Sequence, residues 1–277
     1  FDDRVTGKVK EFAPKAKIIQ VDIDNAELGK NVNVDLGIKG DLKQFLINLN
    51  EALPSLEPNS WLEQVEKWKK DYPLKYCSEG LKPQYVVEEI WRLTKGNAII
   101  ATEVGQHQMW TAQYYKFKEP RSFISSGGLG TMGFGLPAAL GAKLGSPEKI
   151  VFNIAGDGSF EMNFHELITA AKYDIPVITV IFNNKTLGMV RQWQELFYEE
   201  RYSHVAIDDP GTDYVEIAQG CGVAGFKVSE KHELEEAILK AMELNKPAIL
   251  DVMIDPKENV MPMVPAGKPI NKMLGLE

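Results

Sequence analysis

Asp157 and Asn184 are the residues best suited to chemistry, because each follows an apolar run that ends abruptly. The first run ends in the loop 156–159, which reads Gly-Asp-Gly-Ser, and the second ends in Asn183 and Asn184. One carboxylate and one amide oxygen suit a hard cation such as Mg²⁺, which often keeps waters and is shared with substrate phosphates. The pair therefore indicates a site for a metal ion and a diphosphate.

Two buried strands joined by a helix would bring these residues together. The apolar runs are typical of strands covered on both faces, and the segment 163–173 between them has helical apolar spacing, with Asn163 and Glu166 resembling a capping box. A right-handed crossover makes such strands parallel, so that their carboxyl ends share one edge of the sheet. Asp-Gly after a strand is also common as a simple turn, and spacing alone leaves that interpretation open.

Glycines mark two places where a ligand could need bare backbone. Gly156 and Gly158 flank Asp157 and permit a close approach of backbone amide groups to a diphosphate. The segment 121–135 is the most glycine-dense part of the chain and contains Met132, which on its own is compatible with ordinary core filling. A helix of small residues is predicted from Ala138 onward.

Two further segments could contribute to a ligand site. Gln106 and His107 follow a predicted strand at 98–103, at the position where open α/β sheets bind ligands. They could donate hydrogen bonds to phosphate oxygens or be ordinary loop residues. Trp193 lies in a helical pattern that favours structural packing.

Together these motifs resemble the catalytic subunit of the acetolactate synthase (acetohydroxyacid synthase) family of thiamin-diphosphate enzymes. The resemblance covers about residues 100–205 and rests on Gly-Asp-Gly at 156–158 with Asn183-Asn184, the glycine-rich segment 127–137, and the segment 188–198. It implies thiamin diphosphate and Mg²⁺ as cofactors of a transferase. The implied reaction condenses pyruvate with a second 2-oxo acid, pyruvate or 2-oxobutanoate, with loss of CO2, in the first common step of branched-chain amino acid biosynthesis.

The resemblance also implies roles for single residues. Mg²⁺ would be bound by Asp157, Asn184 and the carbonyl of Thr186, which would keep Asp157 ionised and unavailable as a base. Met132 would hold the cofactor in a bent shape, and Met189 and Trp193 would line the substrate pocket. The implied cofactor-binding set is Val104, Gly105, Gln106, His107, Gly130, Met132, Gly156, Asp157, Gly158, Ser159, Asn184, Thr186, Gly188 and Met189.

No catalytic residue is expected in this chain. The family's activating glutamate belongs to a separate pyrimidine-binding domain, usually on a partner chain, and no glutamate here lies in that motif. We therefore expect the sequence to be a fragment of a longer polypeptide, to bind diphosphate and Mg²⁺ weakly and to be inactive alone.

The predicted fold class is α/β, with a parallel sheet flanked by helices, preceded by the tail of a Rossmann-like central domain. The predicted bounds are 1–53 for that central FAD-type domain, 54–82 for a linker, 83–255 for the thiamin-diphosphate domain, and 256–277 for an irregular tail or lid. FAD is implied for the full-length enzyme. Asp22 and Asp24 are predicted to be solvated strand-end and cap residues.

Composition narrows the class of protein. The 277 residues are 44% hydrophobic and 25% charged, as in soluble globular proteins, and a net charge of −8 argues against nucleic-acid or anionic-membrane partners. No apolar run approaches the ~20 residues that span a bilayer. Cys77 and Cys221 lack metal-ligand spacing and are predicted to be buried or free thiols in a reducing, cytoplasmic compartment. The resemblance implies 2-oxo acid substrates and a homodimer or tetramer that could carry a regulatory subunit.

Three alternatives remain open. Glyoxylate carboligase, pyruvate oxidase and 2-oxo-acid decarboxylases share the Gly-Asp-Gly and Asn-Asn motifs, but not the run 189–194. A non-catalytic diphosphate-binding module would also use these motifs. A Rossmann NAD domain is less favoured, since the glycine pattern at 128–133 follows a loop rather than an evident strand. His165, His204 and His232 have no recognisable catalytic partner and are predicted to be structural or exposed.

Overall fold

A computed structural model describes residues 1–55, 57, 59–207 and 211–275. Two compact units form, one from Phe1–Pro73 with Met261–Glu277 and the other from Leu74–Val260. Positions 56 and 58 of the predicted linker, and positions 276 and 277 of the predicted tail, lie outside the described residues. The domain bounds drawn from the sequence stay predictions.

The first unit contains a short parallel pair of strands, β1 (Ile19–Asp22) and β2 (Leu36–Lys39). Its helices are α1 (Asp3–Thr6), α2 (Leu42–Ala52) and α3 (Ser60–Asp71), with 3₁₀ turns at Val9–Glu11 and Asn25–Glu27. Asp24 is exposed and accepts from the Ala26 amide at 2.9 Å, so its predicted role as a cap is confirmed. Within 255–275 no helix or strand forms, as expected for the predicted irregular tail.

The second unit is built on a six-stranded sheet in which every neighbouring pair is parallel. Its strands are β3 (Ile99–Thr102), β4 (Phe123–Ser125), β5 (Val151–Gly156), β6 (Val177–Asn183), β7 (Ala224–Val228) and β8 (Ala248–Met253), in the order β4-β3-β5-β6-β8-β7. The helices are α4 (Pro83–Thr94), α5 (Gln106–Tyr114), α6 (Gly135–Gly145), α7 (Asp157–Phe160), α8 (Glu166–Lys172), α9 (Gly188–Phe197), α10 (Tyr214–Gly220) and α11 (Leu234–Leu244), with a 3₁₀ turn at Lys231–Glu233.

Helices cover both faces of this sheet. Alternate residues of the central strands, such as Phe152 and Val180, pack with α4, α5 and α11, whereas their neighbours, such as Val151 and Ile181, pack with α6, α8 and α10. Every residue of β6 is buried, which explains why its sequence is mostly apolar, apart from Thr179 and Asn183, rather than alternating. The predicted α/β fold with a parallel sheet flanked by helices is confirmed.

Two local predictions were wrong. The glycine pattern at 128–133 lies between the strand β4 and the helix α6. The prediction that it follows a loop rather than a strand was therefore wrong. The capping box is also absent, because α8 begins at Glu166 without a side-chain cap. Asn163 instead donates from Nδ2 to the Gly133 carbonyl at 2.7 Å. That contact anchors the glycine-rich segment to the turn before α8.

The remaining sequence expectations concern isolated residues. Cys77 is exposed and Cys221 partly buried, and both are free thiols. His165, His204 and His232 are exposed. None of the helices in the described part of the chain combines the length and the apolarity that crossing a membrane requires.

Candidate functional site

A cavity lies at the carboxyl edge of the six-stranded sheet, where the loops after β3, β5 and β6 meet the start of α9. Every residue of the predicted cofactor-binding set except Gly130 lines it. Gly130 lies just outside, where an added Cβ would come within 3.8 Å of Val104 Cγ1. The walls also include residues that the sequence did not indicate: Trp110, Phe182, Leu187, Val190 and Ile254.

The Asp157 carboxylate is held by backbone amides from two loops. Its Oδ1 accepts from the Gly158 amide at 2.8 Å, while Oδ2 accepts from the amides of Asn184 at 3.1 Å and Lys185 at 2.6 Å. The parallel pairing of β5 with β6 makes this contact possible. A carboxylate has about four acceptor positions, so about one stays available for a cation.

Burial shapes the electrostatics of Asp157. Its side chain is almost fully buried, and this raises the pKa of the carboxyl to about 7, although the three amide hydrogen bonds oppose the shift. A divalent cation beside the carboxylate would favour its charged form and lower that pKa. The geometry therefore suits a metal ligand, because the anion is costly to bury until a positive charge joins it.

Asn184 lies beside this carboxylate with its amide fixed in place. Asn184 Oδ1 accepts from the Thr186 amide at 3.0 Å, which leaves the second lone pair of that oxygen for another partner. Lys185 adopts a left-handed conformation with φ of 56°, and this turn directs the two amides at 184 and 185 toward Asp157. Among the described residues no group of three or more His, Cys, Asp and Glu side chains is placed to hold a metal ion.

Several buried polar atoms on residues of the cavity wall have no hydrogen-bond partner. They are Gln106 Oε1, His107 Nε2, Trp110 Nε1 and Thr186 Oγ1. Burial lowers the pKa of His107 to about 3, so its imidazole is neutral. Unpaired buried polar atoms are costly, and their concentration here is consistent with a polar ligand that supplies the missing partners.

Glycines line the cavity where side chains would close it. A Cβ on Gly188 would lie 2.1 Å from Gln106 Oε1, and a Cβ on Gly158 would lie 2.8 Å from Leu187 Cδ2. Both positions are on the wall of the cavity. Together with the unpaired polar atoms and the Asp157–Asn184 pair, this cradle fits a magnesium-bound diphosphate.

Trp193 does not line the main cavity. It borders a shallow depression on α9 with Val190, Gln194, Tyr198 and Arg201, and Val190 lines both sites. Trp193 Nε1 donates to Met189 Sδ at 3.2 Å, and Met189 is on the main cavity wall. The structure thus brings the two predicted substrate residues into contact, with Met189 on the wall of the cavity.

Glu103 and Gln192 are not in the predicted set, although both contact residues of the site. Gln192 Oε1 accepts from Gln106 Nε2 at 2.8 Å. Glu103 is fully buried just before Val104, and its Oε1 accepts from the Leu136 amide at the start of α6 at 3.0 Å. A Cβ on Gly135 would lie 2.7 Å from the Glu103 amide, so a glycine is needed for α6 to approach β3 this closely. An acid at a strand end was visible in the sequence, but its partner 33 residues away was not.

Comparison with known proteins agrees with this geometry. Residues 103–252 match the C-terminal domain that binds thiamine pyrophosphate, the same compound as thiamin diphosphate, in the thiamine pyrophosphate enzymes. Residues 1–49 match the central domain of those enzymes. Because the first match covers more than half of the sequence, the chain belongs to the thiamine pyrophosphate enzyme family, and its second unit contains a thiamin-diphosphate-binding domain.

The chain is also similar to curated acetolactate synthases. It is 43% identical to acetolactate synthase 1, chloroplastic, of Nicotiana tabacum, over 96% of this chain and 42% of that protein. It is 47% identical to the probable acetolactate synthase large subunit of Methanocaldococcus jannaschii (96% and 47%) and 44% identical to the acetolactate synthase isozyme 3 large subunit of Escherichia coli (99% and 50%). The chain spans about half the length of the curated relatives it matches.

Proposed function

We propose that this chain is the cofactor-binding part of an acetolactate synthase, which condenses pyruvate with pyruvate or 2-oxobutanoate and releases CO2. The observation that carries the proposal is the Asp157–Asn184 contact at the wall of the cavity. Family membership and the similarity to proteins named acetolactate synthase support it further. Such a role would serve branched-chain amino acid biosynthesis.

In this proposal Asp157, Asn184 and the carbonyl of Thr186 would hold Mg²⁺, which would neutralise charge on the diphosphate of the cofactor. Thiamin diphosphate, when bound, supplies the electron sink for breaking and forming carbon–carbon bonds. The chain binds and orients the cofactor. Asp157 is the only carboxylate on the cavity wall among the described residues, and in this proposal it would bind the metal, so no carboxylate of the described wall would be available as a general base.

The apolar side chains define where the substrate would lie. Met132 and Met189 are on the wall of the main cavity, and we assign Met132 to supporting the bent cofactor. Met189 and Trp193 would contact the 2-oxo acid, because they meet where the main cavity and the depression on α9 adjoin. A broad indole at this place would favour the larger 2-oxobutanoate as second substrate over pyruvate.

Other parts of the proposal concern the whole protein. Relatives named large subunit support a regulatory small subunit, and a homodimer or tetramer remains our prediction. We also propose FAD in the full-length enzyme, since residues 1–49 match the central domain. The activating glutamate would come from a pyrimidine-binding domain. A cytoplasmic location stays a prediction, because some relatives are named chloroplastic.

Two measurements test the proposal. Calorimetric titration of the protein with thiamin diphosphate should show binding that depends on Mg²⁺, and absence of binding in both conditions would refute the cofactor assignment. Product analysis of the full-length protein with pyruvate, alone and with 2-oxobutanoate, should give 2-acetolactate and 2-aceto-2-hydroxybutanoate. Acetaldehyde as the product would favour a decarboxylase, and acetyl phosphate formed in the presence of O2 and inorganic phosphate would favour an oxidase. Tartronate semialdehyde formed from added glyoxylate would favour glyoxylate carboligase.

A further inference from the structure

Gln192 is fully buried on α9, outside the wall of the cavity, and its side chain forms a hydrogen-bonded node. Its Oε1 accepts from the Val260 amide at 2.8 Å and from Gln106 Nε2 at 2.8 Å. Its Nε2 donates to the Val260 carbonyl at 3.0 Å. One side chain therefore connects α9, the first residue of α5 and the segment 258–260.

The node determines the orientation of the Gln192 amide. The Val260 amide can only donate and the Val260 carbonyl can only accept, so Oε1 and Nε2 of Gln192 cannot exchange places without losing both bonds. Arg191 strengthens the same contact, because its guanidinium donates to Asn259 Oδ1 at 2.5 Å and to the Glu258 carbonyl at 3.3 Å. Lys82 and Gln84 bind the Glu258 carboxylate at 2.6 and 2.9 Å.

Gln192 and the Glu258 carbonyl together fix the orientation of the Gln106 side chain. Gln106 Nε2 donates to two acceptors, Gln192 Oε1 at 2.8 Å and the Glu258 carbonyl at 3.0 Å. Its NH2 group is thus directed away from the cavity wall formed by Gly188, and Gln106 Oε1, buried and without a partner, lies 2.1 Å from the position of a Gly188 Cβ. Gln106 therefore offers the cavity an acceptor, whereas the sequence had suggested that it donates to phosphate oxygens.

We propose that Gln192 is a positioning residue that holds the side-chain amide of Gln106 with its carbonyl oxygen toward the cofactor cavity. That oxygen accepts a hydrogen bond from a donor on the bound cofactor complex, such as a water ligand of the cation. The inference rests on the proposed function, and it adds a residue beyond the wall of the cavity to the determinants of cofactor affinity.

The chain provides a matched control two residues along the same helix. Gln194 makes the same two-point contact with a backbone, donating from Nε2 to the Ser203 carbonyl at 3.1 Å and accepting at Oε1 from the Ser203 amide at 2.9 Å. It has no hydrogen bond with Gln106 among those described. Replacing either glutamine by methionine removes a clamp of similar geometry, but only Gln192→Met removes one of the two acceptors of Gln106 Nε2.

The experiment is a double-mutant cycle on the full-length protein, measured as the Kd of thiamin diphosphate at saturating Mg²⁺. Gln106→Met and Gln192→Met should each weaken binding roughly threefold to tenfold, the value of one hydrogen bond. The double variant should bind no more than about twofold weaker than Gln106→Met alone, because Gln192 acts through Gln106. Gln194→Met should leave the Kd within about twofold of wild type.

Three results would overturn the inference: multiplicative effects of the two substitutions, an unchanged Kd in Gln192→Met, or an equal loss in Gln194→Met. If Gln192→Met does not unfold cooperatively, Gln192→Leu replaces it in the cycle, and the conservative variant Gln192→Glu is measured beside it. That variant keeps an acceptor for Gln106 Nε2, so it should retain an affinity within about threefold of wild type. Wild-type protein that does not bind the cofactor would refute the proposed function itself, whereas normal wild-type binding with multiplicative losses refutes only the role of Gln192.

Discussion

The two sides of the cavity differ in how far their polar groups are already satisfied. After β5 and β6, Asp157 and Asn184 are held by four backbone amide hydrogen bonds. On the other side, Gln106 and His107 at the start of α5, and the side chain of Thr186 just before α9, each retain a buried polar atom without a partner. The first side fixes the geometry of its ligand atoms in advance, and the second leaves atoms that a ligand would satisfy.

This difference separates two physical roles. Backbone amides that hold a carboxylate reduce the reorganisation needed when a cation binds, which favours affinity for one geometry. Unsatisfied atoms cost stability in the free protein, and binding recovers that cost. We therefore expect substitutions on the first side to affect metal dependence. Removal of an unsatisfied polar atom on the second side should lower cofactor affinity while leaving the free energy of unfolding unchanged or higher.

The largest effect is expected from Asp157→Ala. Removing the proposed Mg²⁺ ligand should weaken Mg²⁺-dependent binding of thiamin diphosphate by about 100-fold or more, since even indirect contacts to a metal contribute 10- to 100-fold. Titration with and without Mg²⁺ measures it. Glu161→Gln is the control, because this nearby acid contacts the Tyr214 hydroxyl at 2.8 Å and should leave Mg²⁺ dependence unchanged. A metal-dependent Kd close to wild type in Asp157→Ala would contradict the assignment.

Gly188→Ala is expected to have the next largest effect. Its methyl group would meet Gln106 Oε1 at 2.1 Å and Asn184 Nδ2 at 2.8 Å, and such overpacking costs about 1–3 kcal/mol. Both the unfolding free energy and the cofactor affinity should fall. The control is Gly141→Ala in α6, where a Cβ meets nothing within 4 Å and should stabilise the helix by up to about 1 kcal/mol. Equal responses of the two variants would argue against a tight contact at Gly188.

The buried His107 side chain should make the free energy of unfolding depend on pH. Burial lowers the pKa of His107 to about 3, below its ordinary value of 6.5, so the unfolded chain binds a proton that the folded chain excludes. The stability associated with neutral His107 is complete above pH 6.5 and decreases as the pH falls toward 3, by on the order of 1 kcal/mol per pH unit.

Denaturation of wild type and His107→Gln across this pH range isolates the contribution. The groups that both proteins share, including Asp157, cancel in the difference between the two curves. The wild type should lose more stability than the variant as the pH decreases, and parallel curves would show that His107 remains accessible to protons in the folded state.

Thr186→Val should produce the smallest change and the clearest test of the unsatisfied side. The Thr186 hydroxyl oxygen has no partner, so its removal should keep the unfolding free energy within about 1 kcal/mol of wild type or raise it. Cofactor affinity should fall by roughly threefold. The comparison variant is Thr111→Val, whose buried hydroxyl donates to the His107 carbonyl at 2.7 Å and whose loss should destabilise the protein by about 1 kcal/mol. Greater destabilisation in Thr186→Val than in Thr111→Val would remove the distinction between the two sides.

Sequence patterns were informative where the physical cause was local. The strands β5 and β6 were visible because burial on both faces favours mostly apolar runs, and their right-handed connection placed Asp157 beside Asn184. The short strand β4 was not visible, since three residues carry too little pattern. Helix α5 was missed as well, because its first residues, Gln106 to Gln108, are polar and show no amphipathic period.

Contacts between distant segments could not be read from the sequence. Gln192 and Val260 are 68 residues apart, and no spacing rule connects a helix glutamine to a backbone amide in an irregular segment. Asn163 shows the same limitation, since its local pattern favoured a cap and its side chain bonds to Gly133, 30 residues earlier. The motifs therefore identified most of the cavity wall, whereas the contacts that orient the wall required the fold.

The strand order has a consequence for how the protein acquires its cofactor. The cavity receives residues from the ends of β3, β5, β6 and β8, and β8 inserts between β6 and β7 although it is the last strand of the chain. Such non-local strand pairings form slowly during folding, because the chain loses conformational entropy before the stabilising contacts are made. During refolding, binding of thiamin diphosphate should therefore begin later than the recovery of the helical circular dichroism signal. The time at which binding begins should report when β8 pairs with β6 and β7.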